Sequence, residues 1–251
     1  MIETILITGG TGKFGRKFVE HFISKRWRVV FTTTSEARGN AFIEELGRPD
    51  DLVSISSDFT SPVAVNDLLR MLKERGCYVN HLVNNARSLD SLKTDALGQT
   101  SREDFMAEYL MDVVVPYELS VGLFNAQPED LKTITNIGSQ YGVVAANPHL
   151  YEDNPKQSPI QYGVAKAALG HLTKELAVRM AVKGVRVNCI AYGGVEGRVN
   201  DAFKARYAAL TPSARMLAED EVVGPLDFLV SQSSSAITGQ TLVADGGWSI
   251  W

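Results

Sequence analysis

Seven short runs of aliphatic and β-branched residues recur along the chain without a polar residue at every second position: ETILIT, RVVFTT, LVSISS, HLVNNA, KTITNIG, VRVNCIA and QTLVAD. A strand that is apolar on both faces is covered on both faces, which is the condition of a parallel sheet. Between these runs, residues near 13–26, 36–47, 61–76, 101–126, 160–183 and 219–231 carry the spacing of amphipathic helices. Strand alternating with helix almost from end to end predicts an α/β fold: a single doubly wound domain over residues 1–251, with about seven parallel strands and helices on both faces. Thr60-Ser61-Pro62, and Ser101 followed by Glu103-Asp104, predict helix starts.

Two segments break the rhythm. Residues 140–160 hold three Pro and two Asn with no period, and residues 193–218 hold one short helical stretch, DAFKARYAAL. Each follows a strand end, and in an open α/β sheet ligands bind outside the carboxyl ends of the strands. The two segments are therefore expected to form a substrate rim and a lid.

Composition narrows the ligand. Lys and Arg number 25 against 29 Asp and Glu, a net charge of −4 without a basic stripe, which argues against nucleic acid. No apolar run approaches a membrane span, Met1 leads directly into a strand, and Cys77 and Cys189 show neither disulfide nor metal spacing. The expectation is a cytoplasmic protein with reduced thiols, no metal, no membrane and a small-molecule substrate.

The first strand runs into Thr8-Gly9-Gly10-Thr11-Gly12-Lys13-Phe14-Gly15 and then into a helix. Such a turn lets a pyrophosphate reach backbone N–H groups at a helix N-terminus, whose dipole favours the anion. A carboxylate at the end of the second strand would select NAD; here stand Thr32, Thr33, Thr34 and Ser35, which favours NADP, although a Thr run also suits a strand for its own sake. Tyr162 and Lys166 lie four apart in QYGVAKAAL and share a helix face, so an ammonium lies near a phenol that can act as general acid and base. Alone, each pattern has a plain alternative, a packed aromatic for Tyr162 or a strand-end cap for Ser139.

Taken in order, the residues resemble the short-chain dehydrogenase/reductase superfamily over nearly the whole chain. The likeness runs through Gly9 to Gly15, Asp58-Phe59, Asn84-Asn85-Ala86, Ser139, Tyr162 with Lys166, and the closing ITGQTLVADGGW. It implies a Rossmann fold and hydride transfer between NADP or NAD and a carbonyl or secondary alcohol. Tyr162 would move the proton, Lys166 would favour the phenolate and bind the nicotinamide ribose, and Ser139 would position the substrate oxygen. Asp58 and Phe59 would hold adenine, Asn85 and Ala86 would support the glycine turn and ribose, and Gly193 and Val195 would join the cofactor contacts.

The chain also departs from that family. Lys13 stands where the short branch keeps a glycine, Asp112 where an Asn usually completes the proton relay, Arg87 where a glycine follows Asn-Asn-Ala, and Tyr192-Gly193 where Pro-Gly is usual. The interval from Ser139 to Tyr162 is longer than usual and faintly resembles a subgroup tied to bacterial surface-sugar and flagellin modification. Gln140, Tyr141, His149, Tyr151, Glu152 and Arg198 would then form a polar rim, with Arg87 and Tyr192 as further substrate contacts and Arg87 open either to a substrate phosphate or carboxylate or to a plain ion pair with a neighbouring loop. A dinucleotide-binding regulator without turnover and a nucleotide-sugar epimerase or dehydratase are the alternatives. No GxSxG or HExxH motif supports a hydrolase or a metal site. A homodimer or homotetramer through 101–126 and 160–183 is implied, with Val113, Val114, Val115, Leu119 and Leu123 fitting an interface or a core, and Trp248 and Trp251 are expected to bury.

Overall fold

The computed structural model describes residues 2–197 and 199–251. Seven strands, β1 (Thr4–Ile7), β2 (Arg28–Thr33), β3 (Leu52–Ser56), β4 (His81–Asn84), β5 (Thr133–Ser139), β6 (Arg186–Tyr192) and β7 (Thr241–Ala244), form one sheet in the order β3-β2-β1-β4-β5-β6-β7. All neighbours pair in parallel. The helices are α1 (Lys13–Ser24), α2 (Glu36–Glu45), α3 (Ala64–Glu74), α4 (Arg102–Tyr109), α5 (Val115–Ala126), α6 (Asn154–Gln157), α7 (Ile160–Met180), α8 (Asp201–Ala209) and α9 (Val223–Val230). Successive strand residues face opposite ways. Ile5, Ile7, Phe31 and Ile190 accordingly pack with Phe18 and Phe22 of α1 and Leu226 of α9, while Leu6, Val30 and Ile134 pack with Leu68 of α3, Leu119 of α5 and Leu176 of α7.

The stretch 101–126 is helical as expected, but α4 and α5 are joined within it by a π-turn, Leu110–Val114. Pro116 has no N–H for the carbonyl of Asp112 four residues back, and its ring crowds that carbonyl, so the helix widens there. Thr60-Ser61-Pro62 is not a cap, since α3 begins at Ala64 without a side-chain cap. The Asp58 side chain accepts from the Thr60 N–H instead, tying those residues into a turn. The segment 140–160 is ordered as two 3₁₀ turns and α6, because Asn147 caps one turn and Gln157 accepts from the N–H groups of Glu152 and Asp153. Ser101 does cap α4, accepting from the Asp104 N–H at 3.0 Å.

The insertion and the lid share a small core of their own. Leu150, Tyr207 of α8, Met216 and Trp248 are buried together, with the Trp248 ring stacked 4.5 Å from Tyr207. Trp251, by contrast, is 76% exposed, although its indole N–H donates to the Leu210 carbonyl. Val113, Val115, Leu119 and Leu123 are buried in this chain, and Val114 is half-buried. Among the described residues, no helix is long and apolar enough to cross a membrane.

The amino end of the sheet carries a buried titratable group. His81 stacks on Trp27 at 4.8 Å, shares a hydrogen bond with Thr133, and meets Glu3 at 3.3 Å. Burial pushes its pKa down to about 4, against the opposing pull of Glu3. The folded pKa lies below the unfolded one, so the unfolded chain takes up the proton first. Stability is full above about pH 6.5 and falls as pH drops towards 4. Urea unfolding should show a loss of about 1–3 kcal/mol across that window, and His81→Gln should lose less; a variant as steep as the parent would contradict this.

Candidate active site

Where β1 and β4 run side by side, the strand order reverses and a crevice opens at their carboxyl ends. Thr8 pins both walls: its Oγ1 accepts from the N–H groups of Asn85 and Ala86, both at 2.9 Å. Asn85 Nδ2 donates back to the carbonyls of Thr8 and Gly9. The turn at Gly9 is left-handed, φ +66°, and a Cβ there would sit 2.9 Å from Ala86 Cα. A Cβ on Gly15 would strike the Gly9 carbonyl, so Gly15 packs the helix start and is absent from the cavity wall. Gly12 is the N-cap of α1 and supplies no side chain to satisfy its first turn. That uncapped end fits a pyrophosphate.

One cavity of about 1010 Å³ extends from this turn to α7. Its wall includes Gly9, Thr11, Gly12, Lys13 and Phe14; Thr33, Thr34, Asp58 and Phe59; Asn85, Ala86 and Arg87; Ser139, Gln140, Tyr151, Tyr162 and Lys166; and Tyr192, Gly193 and Val195. Several are committed to protein contacts. Thr11 and Thr33 share a hydrogen bond of 3.1 Å, Lys13 donates to the Val195 carbonyl and pairs with Glu219, and Arg38 donates to the Thr34 hydroxyl. Tyr192 borders the cavity but is buried, and its hydroxyl donates to the Val222 carbonyl in the core. Gln140 is buried and accepts from the Tyr207 hydroxyl at 2.9 Å. His149 and Glu152 are exposed and off the wall, Glu152 being paired with Arg206. Arg198 lies outside the described residues.

The acid–base end is built on α7. A buried chain from Asn84 to Asn136 to Thr173 fixes that helix against β4 and β5, with hydrogen bonds of 2.8 and 2.9 Å. Tyr162 is half-buried in the wall, and the Lys166 ammonium stands 5.8 Å from its ring centroid. Lys166 donates to Asp112 Oδ1 at 2.9 Å and to the Ile137 carbonyl at 3.0 Å. Burial pulls the Lys166 pKa down, but the Asp112 carboxylate and its hydrogen bond outweigh that and leave it raised. An ammonium has three N–H groups, so one remains for a ligand or the phenol. Asp112 Oδ2 is buried with no protein partner. Ser139 ends β5, and its Oγ accepts from the Tyr141 N–H.

Sequence reasoning missed Glu108. It is 1% exposed, one turn before Asp112, and is held by the Ser91 hydroxyl. Burial raises its pKa, and so does the Asp112 charge, against the pull of that hydrogen bond. Its spacing on α4 looked like any solvated acid, so local pattern gave no signal. Tyr207 was also missed, whereas Tyr141, expected on the rim, is on the cavity wall and bonds to the Tyr151 hydroxyl. Burial raises the pKa of Tyr141, Tyr151 and Tyr207, so they act as neutral hydroxyls. Among the described residues, no group of His, Cys, Asp or Glu is placed to hold a metal ion.

A glycine cradle, an uncapped helix end and a lysine beside a tyrosine, all on one cavity at a sheet's switch point, define a nicotinamide-dependent oxidoreductase. Comparison with known proteins agrees. A family model described as enoyl-(acyl carrier protein) reductase matches residues 13–249. Post-translational flagellin modification protein A of Campylobacter coli is 27% identical over 99% of this chain and 98% of its own length. The 3-oxoacyl-(acyl-carrier-protein) reductase FabG of Chlamydia pneumoniae is 29% identical over 98% and 96%. A solved short-chain dehydrogenase from Leptospira borgpetersenii with bound NAD+ superposes with a TM-score of 0.87 at 28% identity, covering 99% of this chain and 93% of that one. The chain belongs to the short-chain dehydrogenase/reductase superfamily, and it is an NAD(P)-dependent oxidoreductase that takes a dinucleotide and a small-molecule substrate.

Replacing Asp112 with Asn removes an anion from the Lys166 ammonium and leaves uncompensated positive charge beside Tyr162. Alcohol oxidation should then reach half its maximal kcat/KM at a pH about one unit lower. An onset unchanged from the parent would show that Asp112 has no electrostatic hold on the site.

Proposed function

We propose that this enzyme transfers a hydride between NADP and the carbonyl or secondary alcohol of a small, polar, sugar-like substrate, with Tyr162 as general acid and base. The observation that carries this reading is the placement of Tyr162 and Lys166 on the same cavity as the glycine turn. When bound, the nicotinamide supplies or takes up the hydride. Ser139 Oγ orients the substrate oxygen, and the Tyr162 hydroxyl gives it a proton as negative charge develops. Lys166 stabilises the phenolate that remains and offers its third N–H to the nicotinamide ribose. Gly193 and Val195 flank that end, Asn85 and Ala86 hold the ribose side, and Asp58 and Phe59 receive the adenine.

The choice of NADP rests on Thr33, Thr34 and Arg38, which line the cavity at the end of β2, with no Asp or Glu from that strand end itself on the wall. The relatives' names carry an oxoacyl group and a flagellin modification; the hydroxyl and amide groups of Ser139, Gln140, Tyr141 and Tyr151 favour a hydroxylated substrate over an acyl chain. We also infer a cytoplasmic setting, supported by the buried free thiols Cys77 and Cys189. Assembly as a homodimer or homotetramer is supported by exposed apolar residues on the long helices, Met106, Tyr117, Val164 and Val178.

Fluorescence titration tests the cofactor assignment. NADPH should bind about tenfold or more tightly than NADH, and Thr33→Asp should reverse the order. An unchanged order in that variant would refute the assignment. On keto-sugars and simple ketones, Tyr162→Phe should lower kcat by roughly 10²- to 10⁴-fold; equal turnover by parent and variant would remove Tyr162 from its role.

A further inference from the structure

Four cations line the cavity, and three already hold protein partners. Lys13 is held by Val195 and Glu219, Arg38 by Thr34, and Lys166 by Asp112 and Ile137. Arg87 differs. Among the described residues it forms no side-chain hydrogen bond and no ion pair; its guanidinium lies instead over the Tyr162 ring, 5.1 Å from the centroid. A planar cation held by its face keeps its N–H fork available, and a guanidinium fork matches a carboxylate or phosphate. The Arg87 side chain is exposed at the cavity mouth, where the Tyr162 ring is its contact, but its starting point is fixed. The two residues before it are pinned to Thr8 Oγ1 through their N–H groups, so the backbone that carries it is set by the sheet.

Glu108 feels the charge of Arg87, but no carboxylate among the described residues bonds to its guanidinium. Asp112 is committed to Lys166, and Glu108 is buried on Ser91. Asp90 lies on the wall without an ion pair to Arg87. The other substrate-side groups, Ser139, Gln140, Tyr141 and Tyr151, are neutral. We propose that Arg87 is a substrate-binding residue that receives a compact anion, carboxylate or phosphate, carried close to the reacting carbonyl, so that the substrate is an oxo acid or a keto phosphate. This rests on the oxidoreductase reading and narrows its substrate class. Tyr162 meets the carbonyl oxygen while the guanidinium beside it holds the anion, which fixes the orientation of the substrate with two contacts.

The test uses matched pairs with NADPH: acetoacetate against methyl acetoacetate, and dihydroxyacetone phosphate against dihydroxyacetone. The parent should favour the charged member of one pair in kcat/KM. Arg87→Gln should reduce that ratio by about 10- to 100-fold, the weight of one charge-assisted pair, and Arg87→Lys should restore part of it. A preference confined to the first pair names an oxo acid; one confined to the second names a keto phosphate. Calorimetric titration of the enzyme–NADP complex with malonate and with inorganic phosphate covers the case of slow turnover, with the same loss expected in Arg87→Gln. The proposal is overturned if the parent shows no preference and binds neither anion, or if the variant loses charged and neutral substrates equally. NADPH or NADH that binds normally alongside such a result rejects Arg87 alone, whereas failure of both to bind rejects the oxidoreductase reading together with it.

Discussion

All seven strands point the same way, and both faces of their sheet are sealed by helices. Backbone and polar side chains therefore reach a ligand only along the carboxyl edge, where each strand must break to turn into the next helix. The glycine turn, Asn85 and Arg87 follow strand ends on that edge, Ser139 ends a strand there, and Tyr162 and Lys166 stand on the helix packed beside it. Thr8 and Asn85 tie its two halves across the switch point, and the Asn84–Asn136–Thr173 chain sets α7 against it.

On that edge, electrostatics is arranged differently from a site built on a lone lysine. The Lys166 ammonium is buried and shares a hydrogen bond with an equally buried carboxylate, a pair whose disruption typically costs about 3–5 kcal/mol because one charge is left without a partner. Its influence on Tyr162 is thereby tempered. Arg87 supplies a second cation, 5.1 Å from the centroid of the same ring. The π-turn that presents Asp112 has its origin in Pro116, so a single backbone donor missing from α5 shapes the charge balance of the site.

Much of the architecture was legible in advance because it depends on short-range rules. Unalternated apolar runs marked the buried strands, and Ser101 marked its helix start. The failures are equally physical. Thr60-Ser61-Pro62 looked like a cap, but the Thr60 hydroxyl and N–H both donate to the Asp58 side chain instead. The 140–160 segment lacked a period because its turns are single and side-chain capped, and their packing comes from Tyr207 and Trp248, far along the chain. Trp248 found a stacking partner there, whereas Trp251 stayed in solvent.

By itself, then, the chain's order of residues determined the strand and helix alternation, the glycine turn and the shared helix face of Tyr162 and Lys166, since each is settled within a few residues of backbone. Tertiary structure alone decided the rest. The Lys166–Asp112 bond spans 54 positions, and the Thr8–Asn85 clasp spans 77. No local pattern encodes which distant partner will arrive. The burial of Glu108 and the unspent fork of Arg87 are likewise properties of the assembled edge, because burial and pairing exist only once separate elements have met.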